Sequence, residues 1–137
     1  MTSLKSVLGK PVRGILHVPH GKNRIAVDVF DNGCLRPFKY GQVFEASFDS
    51  NERTMTSSDT GEVRTSVAAL LYRGKPFGFV DAANSYTKVL MQLAAKYPQL
   101  VVPAVVSTLD AEGRPVIDIL LPDAKWFHRA LYGQRRR

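Results

Sequence analysis

Apolar and polar residues alternate along much of the first half of the chain, with the two-residue period of half-buried β-strands. From Arg24 to Phe30, Ile25, Val27 and Val29 interleave with Arg24, Ala26 and Asp28. The run Val12 to Val18 is β-prone, and Pro19-His-Gly-Lys-Asn23 is a turn cluster. Asp31-Asn-Gly33 suits a tight hairpin, because Asn and Gly tolerate positive φ. From Gln42 to Phe48, the residues Phe44, Ala46 and Phe48 share one face. These runs predict an antiparallel meander. Residues 49–61 are polar, rich in Ser and Thr and without a period, and they read as a long polar loop. Loops of that length are mobile or functional. Alternation resumes from Glu62 to Tyr72, with Val63, Thr65, Val67, Ala69 and Leu71 on one face and Arg64, Ser66, Ala68, Leu70 and Tyr72 on the other. Arg73-Gly-Lys75 turns this strand, and Pro76 to Val80 pairs back.

The period then changes. Asp81 is placed to cap a main helix over about 82–96 by accepting from free N–H groups. Tyr86, Val89, Leu90, Leu93, Ala94 and Tyr97 form one helical stripe, with Ser85, Lys88, Gln92 and Lys96 on the wet side. Pro98 ends that helix. Val101 to Thr108 and Arg114 to Leu121 flank the hairpin loop Asp110-Ala-Glu-Gly113. Pro122-Asp123 opens a short C-terminal helix, about 124–132, with Trp126, Phe127, Ala130 and Leu131 inward. Gly133 stops it, and residues 133–137 read as a basic, disordered tail.

Composition adds three constraints. A chain of 137 residues, 45% of them hydrophobic, is expected to form a single domain over 1–137 without disulfide or metal staples. The lone Cys34 makes no internal disulfide, which suits a reducing compartment. The N-terminus lacks a signal-like apolar core and no run approaches a membrane span, so a cytoplasmic protein without a membrane partner is expected. Nineteen Lys and Arg against twelve Asp and Glu give a net charge of +7, which favours polyanions such as nucleic acid. Arg135, Arg136 and Arg137 supply three of those charges.

Candidate chemistry is sparse. His17 and His20 lie three apart on an extended segment, so they point to opposite faces, and no Cys or Glu cluster completes a metal set. Cys34 has no base or orienting group beside it in sequence, and Gly74-x-x-x-Gly78 is a turn spacing, not a phosphate cradle. Neither enzyme activity nor a cofactor is expected.

Basic and aromatic residues do interleave, as single-strand binders require. Arg36, Phe38, Lys39 and Tyr40 form one such run, and Tyr72, Arg73, Lys75, Phe77 and Phe79 another. The phenylalanines suit a core, whereas tyrosine tolerates a half-exposed position. Tyr40, Lys39, Arg53, Arg64, Tyr72, Arg73 and Lys75 are therefore the candidate nucleic-acid contacts, with single-stranded DNA the favoured ligand. The alternative is a protein-interaction or self-assembly module, a homodimer for example, using an apolar patch of Leu70, Leu121, Trp126 and Phe127.

Leu71-Tyr-Arg-Gly-Lys-Pro-Phe-Gly-Phe-Val80, the helix after it and the hairpin ending in Leu120-Leu-Pro122 together resemble the HIRAN domain. The resemblance spans about Ser66 to Pro122. It implies a small OB-like β-barrel with helices, and a role as an accessory module that in some members binds single-stranded DNA ends. The family's polar signature has no counterpart, since Phe48-Asp-Ser-Asn-Glu-Arg-Thr54 and the Ser/Thr loop stand in its place. No ligand contact is carried over from the family. Pattern and resemblance together predict a mostly β (α+β) fold: a small OB-like or SH3-like barrel, or a curled antiparallel sheet, with two helices.

Overall fold

Short strands with one apolar face must bury it against each other, and here they do so by closing a ring. The structure is a computed structural model and describes residues 15–31, 33–35, 37–57 and 60–133. Among these, the strands are β1 (Ile15–His17), β2 (Asn23–Val29), β3 (Val43–Asp49), β4 (Arg53–Thr56), β5 (Val63–Ser66), β6 (Ala69–Tyr72), β7 (Lys75–Val80), β8 (Gln99–Leu109) and β9 (Pro115–Leu121). The helices are α1 (Ser85–Lys96) and α2 (Ala124–Tyr132). The main sheet has the order β1-β8-β3-β6-β7-β2-β9, and β9 also pairs with β8. Six strands therefore close into an antiparallel barrel, with β1 laid parallel against the start of β8. The protein is mostly β, with a barrel, a main helix and a short C-terminal helix.

The barrel interior is filled by the residues whose alternation marked the strands. Ile25 and Val27 of β2, Phe44, Ala46 and Phe48 of β3, and Ile117, Ile119 and Leu121 of β9 are all buried in one core. α1 adds Leu90 and Leu93, and α2 adds Phe127. Trp126, Ala130 and Leu131 pack partly buried against the same core. The proposed surface patch does not exist in that form, because Leu70, Leu121 and Phe127 are interior.

Strand order differs from a meander. β2 does not pair with β3; its first half pairs with β9 and its second half with β7. The residues Gly33–Leu35 form a 3₁₀ turn, so the Asp31-Asn-Gly33 signal starts an excursion and not a two-residue hairpin. Long β8 serves two neighbours on one edge, β1 up to Val101 and β9 from Ala104. Pro103 lies in the gap between them, where its missing N–H leaves no ladder bond unmade.

The run 62–72 is broken in two. Ala68 adopts φ 65° between β5 and β6, which shifts the alternation so that Ala68, Ala69 and Leu70 are all buried. Residues 49–61 are not wholly loop. β4 pairs with β5 as a two-stranded sheet, and its Met55 is buried with Phe30, Ala69 and Phe79 in a second, smaller cluster. One apolar residue between Thr54 and Thr56 is too short a run to show a period.

A bulge in β7 feeds both clusters. Leu70 pairs with Gly78 and Leu71 with Pro76, so Phe77 is the extra residue. Phe77 joins the barrel core and Phe79 the second cluster. A Cβ on Gly78 would stand 2.5 Å from the Asp28 carbonyl oxygen, and only glycine permits this approach.

α1 begins three residues later than the expected 82. Asn84, not Asp81, is its cap, accepting from the Tyr86 N–H at 2.8 Å, while Asp81 accepts from Ala83 in the preceding turn. Asp123 caps α2, and Gly133 ends it at φ 77°. The rest of the basic tail, 134–137, lies outside the described residues. Among the described residues no helix is long and apolar enough to cross a membrane.

Candidate nucleic-acid interface

Two turns at one end of the barrel carry five of the seven candidate residues. In the first, the Gln42 N–H donates to the Lys39 carbonyl at 2.9 Å and Gly41 takes φ 83°, which a type II turn requires at its third position. The Gln42 side-chain oxygen also accepts from the Lys39 N–H at 3.1 Å. The Gly41 N–H donates to Val106, and the Val106 N–H to Gln42, so the turn is tied to β8. Tyr40 sits at its outer corner, 70% exposed.

The second turn joins β6 to β7 through Arg73 and Gly74, at φ 51° and 81°. Two successive positive φ values make it a type I′ hairpin, whose twist matches the strands on either side. Phe38 brings the two turns together. Its ring centroid lies 4.4 Å from Phe44 and 4.9 Å from Tyr72, and Phe44 and Tyr72 meet edge to face at 5.5 Å. Both turns are thus fixed by one aromatic cluster on the barrel core.

The candidates fare differently within this frame. Lys39, Arg73 and Lys75 are exposed, and among the described residues none has a carboxylate at ion-pair distance. Tyr72 is half-buried, packed on the core, and has the Arg73 guanidinium over its ring at 5.4 Å. Arg53 and Arg64 stand on the separate β4–β5 hairpin. Arg53 makes two bonds to Asp49 at 3.0 and 3.1 Å. Arg64 pairs with Asp28 and Glu62 and lies over the Phe30 ring at 4.5 Å. Their charges are spent on the protein itself. Phe77 and Phe79 are core, and Arg36 lies outside the described residues. The alternation assigns Gln42 to a strand and gives Gly41 no role, although Lys-Tyr-Gly-Gln with glycine third is itself a turn signal.

Elsewhere the chemistry is muted. Burial, helped by the charge of Asp31, pushes the Cys34 thiol up, which keeps it protonated and a poor nucleophile. No group of three or more His, Cys, Asp or Glu among the described residues could hold a metal. A cleft of about 370 Å³ opens where β2 and β9 part, but its Arg64 and Arg114 are paired with Asp28, Glu62 and Asp110. A groove of about 420 Å³ between α1 and α2 is lined by Tyr86, Val89, Phe127 and Leu131.

Net charge is unevenly placed. Lys5, Lys10, Arg13, Arg36 and Arg135 to Arg137 fall outside the described residues, with Asp59 the only acid among those positions. The barrel itself is close to neutral, so its unpaired cations matter by position more than by sum. No family model, curated protein or solved structure matches this chain.

Proposed function

We propose that this chain is a non-catalytic nucleic-acid-binding or accessory domain that takes single-stranded DNA at the end of its barrel. One observation carries the reading: Lys39, Arg73 and Lys75 are exposed with no carboxylate at ion-pair distance among the described residues, on two turns joined by the Phe38–Phe44–Tyr72 cluster, and the first of these turns carries the 70% exposed Tyr40. Unpaired cations attract phosphates, and an exposed aromatic ring accepts a base. The HIRAN resemblance supports the same reading. The lone Cys34 fits a reducing cytoplasm. Self-assembly is the weaker alternative, because nothing shows what would cover the α1–α2 groove.

Titration of the full chain with labelled single-stranded DNA at about 50 mM salt tests the proposal, since phosphate-driven affinity is greatest at low salt. Micromolar binding that weakens steeply with salt is expected. Replacing Lys39, Arg73 and Lys75 together by Glu should abolish it without unfolding the chain. Absence of binding, or binding untouched by that triple change, overturns the reading.

A further inference from the structure

We infer that the barrel end stacks a single unpaired nucleobase, on Tyr40, while Lys39, Arg73 and Lys75 hold the phosphates on either side of it. This rests on the nucleic-acid reading above and specifies its ligand. Binders of longer strands offer a row of open aromatic faces, one per base. Among the described residues of this barrel end, Tyr40 alone presents a largely exposed ring. Tyr72, the other aromatic at this end, carries the Arg73 guanidinium over its ring and meets Phe38 and Phe44 edge to face. A base could reach it only by displacing Arg73. Phe38 and Phe44 are buried. The other large exposed aromatic among the described residues, Tyr132, lies on α2, away from these cations, with His128 tilted against it at 4.9 Å.

Tyr40 is also held ready. Its turn is closed by the Gln42 N–H, the Gln42 side chain and two bonds with Val106, which fix the backbone that carries the exposed ring. With the backbone already ordered, only the side-chain torsions of Tyr40 lose freedom when a base stacks on it. Duplex bases are already stacked on their neighbours and present no face to such a ring. The ligand is therefore a single strand or an unpaired nucleotide, bound with little preference between bases. Three phosphate contacts contribute about −2 to the logarithmic salt slope for a single strand.

The experiment uses pentanucleotides with equal phosphate number: all thymine, all abasic, and abasic with one central thymine. Each is titrated at about 50 mM salt into the full chain and into its Tyr40→Ala variant, with a blunt-ended two-strand duplex as a further ligand. One thymine should strengthen binding by roughly 5- to 100-fold over the abasic strand. Tyr40→Ala should erase that gain while leaving the melting temperature unchanged. The inference is overturned if all-thymine exceeds one thymine by more than about fivefold, the advantage of five registers over one and about the least that one extra stack would add. A thymine preference surviving in Tyr40→Ala, or tighter duplex binding, also overturns it. Thymine and abasic strands bound equally by the unaltered chain would reject the stacking and keep the nucleic-acid reading. If no strand binds, both fall.

Discussion

Arg73 occupies a left-handed backbone position that glycine adopts without strain, and it does so exposed, beside Gly74. A non-glycine residue there costs about 1 kcal/mol. We read that strain as the cost of placing a guanidinium over Tyr72 at the barrel end. Arg73→Gly should hold stability level or raise it by up to about 1 kcal/mol while weakening single-strand binding, as measured by denaturant melts alongside titrations. Thr87 makes the opposite kind of test. It is fully buried in α1, and its hydroxyl finds no hydrogen-bond partner among the described residues. An unpaired buried hydroxyl costs about 1–3 kcal/mol, so Thr87→Val, which keeps the shape, should raise the melting temperature, whereas Thr87→Ser should lower it. Neither feature was legible beforehand, since the sequence shows a turn at Arg73-Gly-Lys75 but not what its side chains cover. Tyr40 and Tyr72 look equivalent in sequence, yet only one kept an open ring.

Among the elements, β7 depends on Gly78. Adding a methyl there drives it into the Asp28 carbonyl and the Val27 side chain, so Gly78→Ala should cost about 3 kcal/mol in chemical denaturation. The Phe77–Gly78–Phe79 run gave no hint of a bulge, because a short apolar strand has no contrast from which to read the face of each residue. The β8–β9 hairpin was legible, from Asp110-Ala-Glu-Gly113 to the positive φ of Gly113. Its loop titrates. The backbone N–H of Arg114, then that of Glu112 and the Arg114 guanidinium, hold the Asp110 carboxyl below its ordinary 3.8. The folded hairpin favours the ionised form, so this contribution is complete above the unfolded carboxylate's titration. It disappears as pH falls through the lower folded value. Stability should therefore decline below about pH 4, and Asp110→Asn should flatten that part of the curve, as followed by amide exchange at Gly113.

For the whole molecule, the separation of charge from fold gives the broadest test. The basic terminal segments carry much of the +7, while the barrel end holds Lys39, Arg73 and Lys75, exposed and without a carboxylate partner among the described residues, and the exposed Tyr40. Removing residues 134–137 should lower overall affinity for single strands and reduce its salt slope, yet leave the thymine-over-abasic preference intact. Loss of that preference would move the site from the barrel to the tail. The sequence by itself determined both helices and most strands, though neither β4 nor the break between β5 and β6, and it determined which faces of β2 and β3 are apolar and where the two final elements stop. Those properties follow from local periodicity and from caps within a few residues. Only the tertiary structure decided that β2 pairs with β7 and β9, that β8 and β9 close the ring, and that Leu70 and Leu121 lie inside it. Strand pairing is a contest among many apolar edges of similar affinity, settled by register and closure over the whole chain, and local pattern carries no record of its outcome. The gathering of Lys39, Tyr40, Arg73 and Lys75 follows from the same cause: two turns some thirty residues apart meet because Phe38, Phe44 and Tyr72 pack together.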